Sequence, residues 1–353
     1  MSGTSLDGVD LACCHFSDGG DSKRLKWSLM AAETIQYSDE WTQRLSTLEK
    51  ASAFEYALAD VDLGHLYGQI VKAFVDRHNL KVDYVASHGH TVFHQPHLKL
   101  TTQIGDGDSI AAECGLPVVF NFRRMDVALG GQGAPLVPIG DQLLFAEYDA
   151  CLNLGGIANI SYGADMRIAF DICPCNMALN LLSRKVGKSY DRDGDTARTG
   201  KIIEPLLGQL EKLEYYTLPA PKSLGKEWFA AEMQPLIDNN EHDASDMLRT
   251  IVEHIATQIA TVVNSNNIHT LLATGGGAKN KLLIERLSAL APDCKVTVPQ
   301  ADIIDYKEAI IFALLGYLRL TMRPNCLQSV TGAAYDCIGG NLSGICHNKV
   351  GGS

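Results

Sequence analysis

Apolar residues recur along this chain in two rhythms. Over residues 54–75 they return at nearly every third or fourth place, through Leu58, Val61, Leu66, Ile70 and Phe74. That spacing gives a helix one apolar face, so it predicts a helix there. Residues 246–263 repeat the rhythm through Leu248, Ile251, Ile255, Ile259 and Val262, and residues 307–320 form a third helical stretch. Between these lie short apolar runs at 9–16, 82–87, 116–120, 150–154, 157–162, 166–170 and 270–274. Runs of that length read as strands. Strands alternating with helices predict an α/β architecture. The apolar run 309–318, ended by Arg319, is too short to cross a bilayer, and no heptad or tandem repeat appears.

Glycine punctuates these elements more than proline does, 32 against 12. The glycines cluster: Gly3 and Gly8, Gly105 and Gly107, Gly130, Gly131 and Gly133, Gly155 and Gly156, and Gly275 to Gly277. Such clusters mark turns where the backbone needs positive φ or must approach a ligand. Two of them echo each other, since residues 2–8 and 154–159 are each a small-residue turn leading into a strand. Two such turns facing one another would clamp a nucleotide with backbone N–H groups.

Several familiar chemistries are excluded. The stretch Gly194 to Gly200-Lys201 has five intervening residues and then Ile202, so it is no P-loop, and Gly131-Gln132-Gly133 fails as a dinucleotide fingerprint. HExxH and GxSxG are missing. Asp191, Asp193 and Asp195 imitate a calcium loop, but Thr196 replaces its glycine and Ile202 its final glutamate. Four histidines, His88, His90, His94 and His97, crowd one stretch. Gly89 and Pro96 break any helix that would align them, so hydrogen bonding is a better reading than metal ligation.

Three features carry positive chemistry. In SGTSLDG, small residues free backbone N–H groups for phosphate oxygens, Thr4 and Ser5 add hydroxyls, and Asp7 could hold Mg²⁺ through water; a plain β-turn is the other reading. The triple glycine follows a strand and opens a helical pattern, a placement that suits a nucleotide or simply a tight turn. Asp171 closes the strand-like run from Met166, a common place for a general base in α/β folds, although turn and N-cap aspartates look the same.

Composition narrows the class. With 41 acidic and 30 basic residues the formal charge is −11, which excludes a broad nucleic-acid-binding surface. Ten cysteines in 353 residues are too sparse for a disulfide scaffold, and neither Cys13-Cys14 nor Cys173-Pro174-Cys175 has the CxxC spacing of zinc sites. They read as small core residues. The opening MSGTSLDG has no export signal, so a cytoplasmic protein without membrane association is expected.

The motifs SGTSLDGVD, SHGHTVFHQP, QIGDG, DVALGGQGAPLVP, NLGGIANIS, the Asp171 to Asn176 segment, YDRDG, TGGGAKN and SVTGA occur in order. Together they resemble the anhydro-N-acetylmuramic acid kinases, members of the acetate and sugar kinase, heat-shock chaperone and actin superfamily. The resemblance runs from residue 1 to about residue 334. It implies an α/β fold of two actin-like (ribonuclease H-like) lobes, with mixed sheets flanked by helices around an ATP cleft. It places residues 1–127 and 322–353 in the first lobe and 128–321 in the second.

The resemblance also implies a reaction. Water opens the 1,6-anhydro ring of 1,6-anhydro-N-acetylmuramic acid, and the freed O6 takes the γ-phosphoryl of ATP in cell-wall recycling. Asp171 matches the base that activates the water. Thr91, Arg123 and Glu308 match sugar contacts. Gly3, Thr4, Ser5, Asp7 and Gly8 match the first phosphate motif, with Asp7 toward Mg²⁺. Gly155, Gly156 and Asn159 match the second, and Gly275, Gly276 and Gly277 the adenosine motif. A homodimer is the family expectation.

The chain departs from the pattern in places. Only Met1 precedes SGTSLDG, where the family has a full strand, so an open sheet edge and a looser phosphate loop are expected. Cys173 and Cys175 stand where glycines are usual, which requires a backbone without glycine-only conformations. Asn121 and Asn180 each replace an aspartate. Two alternatives remain: a related kinase for another sugar, and a nucleotide-binding homologue with little or no turnover.

Overall fold

The structure is a computed structural model that describes residues 1–3, 6–19, 25–239 and 241–344. The strands, in chain order, are β1 (Gly8–Ser17), β2 (Lys26–Gln36), β3 (Val85–Ala86), β4 (His90–Gln95), β5 (Leu100–Ile104), β6 (Val118–Phe120), β7 (Ala150–Leu154), β8 (Ile157–Tyr162), β9 (Ile168–Pro174), β10 (Thr270–Thr274), β11 (Lys295–Thr297) and β12 (Asn341–Ser343). The chain divides into two compact units. Unit 1 is Met1–Leu144 with Tyr306–Ser353, and unit 2 is Phe145–Asp305. These divisions differ from the lobe boundaries expected at 127/128 and 321/322.

Unit 2 is built on one five-stranded mixed sheet in the order β11-β10-β7-β8-β9. β10 runs parallel to β7 and β11, and the consecutive strands β7, β8 and β9 run antiparallel. The helix Ala244–Ser265 packs into the core with Leu248, Ile251, Ile255 and Ile259 fully buried. That is the apolar face its 3.6-residue rhythm predicts.

Unit 1 contains three smaller sheets among the described residues: β1-β2, β12-β6-β3 and the hairpin β4-β5. β1 pairs with β2 along its whole length. On its other edge Ser2 bridges Val9, the Met1 ammonium donates to the Asp10 carbonyl at 2.8 Å, and the Asp10 N–H returns a bond to Met1. Beyond that short ladder lies a cavity of about 520 Å³, lined by the rest of β1 and by residues 81–87 around β3.

The helix Ala53–Arg77 forms where predicted, opened by a reciprocal cap between Ser52 and Glu55. Its buried face is only partly the predicted one: Phe74 is buried and Leu66 and Ile70 pack against the core. Leu58 and Val61 are 45% and 41% exposed, while Ala59, Leu63, Gly64, Tyr67 and Gly68 are buried. Gly64 and Gly68 explain the rotation. A Cβ at Gly64 would meet the Asp106 carbonyl at 2.6 Å, and one at Gly68 the Ile110 carbonyl at 2.7 Å. The helix Gly107–Cys114 therefore lies against a glycine stripe, which a search for large apolar residues overlooks.

Candidate active site

In unit 2 the loops of interest hang from the ends of adjacent strands. Gly155 and Gly156 form the β7–β8 hairpin turn, and β10 runs straight into Gly275. Sheet register aligns Thr274 with Asn153, Asn153 with Asn159, and Asn159 with Asp171. Directly paired residues project from the same face of a sheet. A polar row therefore crosses four strands, from the triple glycine to the candidate base. Asn153 is its unforeseen member.

The five glycines divide into two kinds. Gly275 has φ +78°, and a Cβ there would crowd the Leu154 backbone at 2.9 Å. At Gly277 a Cβ would meet the Leu154 carbonyl at 2.9 Å. Local packing demands glycine at both. Gly155, Gly156 and Gly276 are different, because the nearest atoms to an added Cβ lie at 3.5, 4.0 and 3.9 Å. Neither crowding nor positive φ requires glycine at these three positions, where an added Cβ would make ordinary contacts. Asn176 ties the group together: its side-chain amide donates to the Leu154 carbonyl at 2.9 Å, and its N–H to Gly155 at 3.1 Å.

Asp171 is inside β9, not at its end, because the strand continues to Pro174. The ladder slips there, with Asn159 opposite Asp171 and Ala158 opposite Cys173. A bulge of this kind re-aims a side chain. The half-buried carboxylate accepts the Leu224 N–H at 2.9 Å, and its backbone carbonyl accepts the Tyr215 hydroxyl at 2.7 Å. Burial pushes the Asp171 carboxyl above the ordinary range, against the opposing pull of the Leu224 N–H. The segment bearing Leu224 is pinned by Lys222, whose ammonium donates to the Tyr215 carbonyl at 2.9 Å and lies over its ring. Cys173 and Cys175 are fully buried, and neither adopts positive φ. Cys173 lies in β9, and Cys175, with φ −121° and ψ −100°, precedes the helix Asn176–Lys185.

In unit 1, Arg123 stands beside a buried histidine. Its Nε and Nη2 donate to His88 Nε2 at 3.1 and 2.9 Å, and its Nη1 donates to the Gly133 carbonyl at 2.7 Å. A guanidinium only donates, so His88 Nε2 is the acceptor. The ring proton then lies on Nδ1, which donates to the Gly89 carbonyl at 2.9 Å. Burial, and then the Arg123 charge, hold His88 well below its usual pKa and therefore neutral. Three of the five guanidinium N–H groups are used by these bonds, leaving one on each Nη as a fork suited to a carboxylate.

Glu308 interacts electrostatically with Arg123, and burial by surrounding protein raises its carboxyl pKa although the side chain remains open to solvent. Next to it, Lys307 makes a buried ion pair with Asp141 at 2.7 Å. Thr91, on β4, accepts a bond from Gln103 at 3.4 Å. The other histidines have separate duties. His90 meets Ser2, His94 meets Thr101, and His97 is exposed. Gly3 and Asp7 are exposed, and Gly8 is pressed against the Ile35 carbonyl in the β1–β2 pair. Thr4 and Ser5 lie outside the described residues. Asn121 adopts φ +58°, a conformation that asparagine tolerates.

The family model described as "AnmK: Anhydro-N-acetylmuramic acid kinase" matches residues 1–344. The chain belongs to this family. An anhydro-N-acetylmuramic acid kinase of Pasteurella multocida (strain Pm70) is 39% identical over 360 residues, covering 94% of this chain and 92% of the relative. Another, from Sulfurovum sp. (strain NBC37-1), is 36% identical over 358 residues and covers 97% of each. The activity class is therefore phosphoryl transfer from ATP. Asn153 and Asn176 in unit 2 and His88 in unit 1 each meet partners distant in sequence, which only the strand register and the fold reveal. No helix among the described residues is long and apolar enough to cross a membrane.

Proposed function

We propose that this chain opens 1,6-anhydro-N-acetylmuramic acid with water and phosphorylates O6, giving N-acetylmuramic acid 6-phosphate and ADP in cytoplasmic peptidoglycan recycling. The observation that carries the reading is the family match over residues 1–344. A half-buried aspartate at a strand bulge supports it. Asp171 accepts a proton from the attacking water, whose oxygen bonds to the anomeric carbon. The bond from that carbon to O6 breaks, and O6 takes the γ-phosphoryl as ADP leaves. A raised pKa suits a base that must take a proton near neutral pH.

Arg123 holds the lactyl carboxylate of the sugar with its two outward N–H groups, and His88 with Gly133 fixes the plane of that fork. Thr91 and Glu308 meet the sugar's polar groups. The N–H groups of Gly155, Gly156 and Gly276 take phosphate oxygens, assisted by Asn159, while Gly275 and Gly277 keep the nucleotide turn close to Leu154. Gly3, Thr4, Ser5, Asp7 and Gly8 form the first phosphate motif. Mg²⁺, held by Asp7 through water, would neutralise phosphate charge. The working form is a homodimer.

The test incubates the chain with ATP, Mg²⁺ and 1,6-anhydro-N-acetylmuramic acid and follows the sugar by mass spectrometry. The expected product gains one water and one phosphoryl group. Phosphorylation of an ordinary hexose in preference would reassign the sugar. ATP binding without any product would make the chain a nucleotide-binding homologue.

A further inference from the structure

Behind the Arg123 loop lies a buried group that the phosphoryl-transfer chemistry does not use. The side chains of Asp126, Cys326 and Cys337 bring their reactive atoms within 4.8 Å of one another. The two cysteines are 2% and 5% exposed, and both carry free thiols. They face each other across an isolated antiparallel bridge. Each N–H donates to the other's carbonyl at 3.1 Å, which makes this a hydrogen-bonded pair. Cα atoms in such a pair lie about 5.5 Å apart. A disulfide spans roughly 4.4–6.8 Å between Cα atoms, so this pair lies within its reach.

We propose that Cys326 and Cys337 are a peroxide-sensitive pair that closes into a reversible disulfide. Burial of both thiols excludes bulky disulfide reagents and leaves hydrogen peroxide, which is little larger than water, as the oxidant. The Cys326 thiol pulls the Cys337 pKa down, while burial and the nearby Asp126 carboxylate push it up. Cys337 is the more exposed of the two thiols and is the one peroxide reaches first. It displaces hydroxide from peroxide and becomes a sulfenic acid. Cys326 then attacks the Cys337 sulfur, and a second oxygen leaves as water. In balance, two thiols and one hydrogen peroxide give one disulfide and two waters.

The location matters because Asp126 is the brace of the neighbouring loop. It accepts the Gly133 N–H at 2.7 Å and the Thr331 hydroxyl at 2.6 Å, and the carbonyl of that same Gly133 receives Arg123. The modification therefore falls one side chain away from the support of the fork.

The experiment treats the intact chain with hydrogen peroxide, blocks remaining thiols, digests it and maps cysteine states by mass spectrometry. The expected result is a linked Cys326–Cys337 peptide that has lost two hydrogens, is restored by dithiothreitol, and is absent from Cys326→Ser. In that variant Cys337 should progress to the sulfinic acid instead. Linkage confined to other cysteines, or both thiols still reduced while exposed ones oxidise, would overturn the proposal. So would stoichiometric zinc in the isolated protein that is lost on Cys326→Ser, because the thiolates would then be metal ligands. The wild-type arm needs no variant to fold.

Discussion

Unit 2 carries its strands as one continuous mixed sheet, whereas unit 1 distributes its described strands over three sheets with a cavity beside β1. In unit 2 each glycine loop is held by paired strands, and the polar row ending at Asp171 inherits its spacing from the ladder. In unit 1 the corresponding order comes from side chains: His88 and Gly133 hold Arg123, and Asp126 holds Gly133. Backbone register places the groups of unit 2, while a chain of polar contacts places those of unit 1. The second arrangement has fewer redundant supports, so single substitutions should reach further in it.

The largest expected effect tests the division of labour. Asp171→Asn in unit 2 should lower kcat by roughly 10²–10⁴-fold with ATP affinity retained, the usual loss for a general base. Arg123→Lys in unit 1 should mainly raise the KM for the sugar. The loss is about 10- to 100-fold, the worth of one charge-assisted hydrogen bond. Steady-state kinetics with both substrates separates the two outcomes, and a kcat effect at Arg123 with unchanged KM would break the comparison.

Stability should divide the same way. Lys307→Met removes the charge partner of buried Asp141 in unit 1 and should cost about 3–5 kcal/mol. Arg286→Met in unit 2 removes one of two arginines on Glu253 and exposes a partly solvated pair, costing about 1 kcal/mol. Chemical denaturation of both variants measures the contrast.

Overpacking gives a smaller difference with opposite signs. Ala273→Leu, fully buried in the unit 2 core, should destabilise by about 1–3 kcal/mol. Ala313→Leu, on the wall of the unit 1 cavity, should leave the melting temperature unchanged or raise it. Equal losses in the two would mean that the cavity wall is as tightly packed as the core.

The smallest effect concerns pH. Burial pushes the Glu253 carboxyl up, but hydrogen bonds from Arg286 and then Arg249 outweigh it and leave its pKa lowered. Its contribution to stability is present above the unfolded carboxylate pKa and disappears as pH falls through the folded value. Glu253→Gln should therefore flatten the acid limb of a stability profile for unit 2. Asp171 moves in the other direction, so the acid limb of kcat/KM should lie above the range of an ordinary aspartate. A limb at the ordinary value would exclude Asp171 as the titrating base.

Much of unit 2 was legible in the sequence because its signals are local. The turn between residues 150–154 and 157–162, the glycines after 270–274 and the apolar rhythm of 246–263 each specify their element within a few residues. What escaped depends on partners far along the chain. The bulge that aims Asp171 exists only against β8, the rotation of Ala53–Arg77 needs Asp106 and Ile110, and the His88 tautomer needs Arg123. The glycines of SGTSLDG and TGGGAKN looked alike as text, yet surrounding atoms demand glycine at Gly8 and Gly277 and make no such demand at Gly276.

The interrupted course of unit 1 sets an order of events during synthesis. Phe145–Asp305 is one unbroken stretch, so unit 2 can fold as soon as it leaves the ribosome. Unit 1 has to wait. β6 is paired on one edge by β12, and Asp141 by Lys307, and both partners lie in the final segment Tyr306–Ser353. At about 5–20 residues per second that segment takes several seconds to emerge. For that interval the nascent chain carries a finished unit 2 beside an open strand edge in unit 1, and a chaperone that binds strand edges would meet it there.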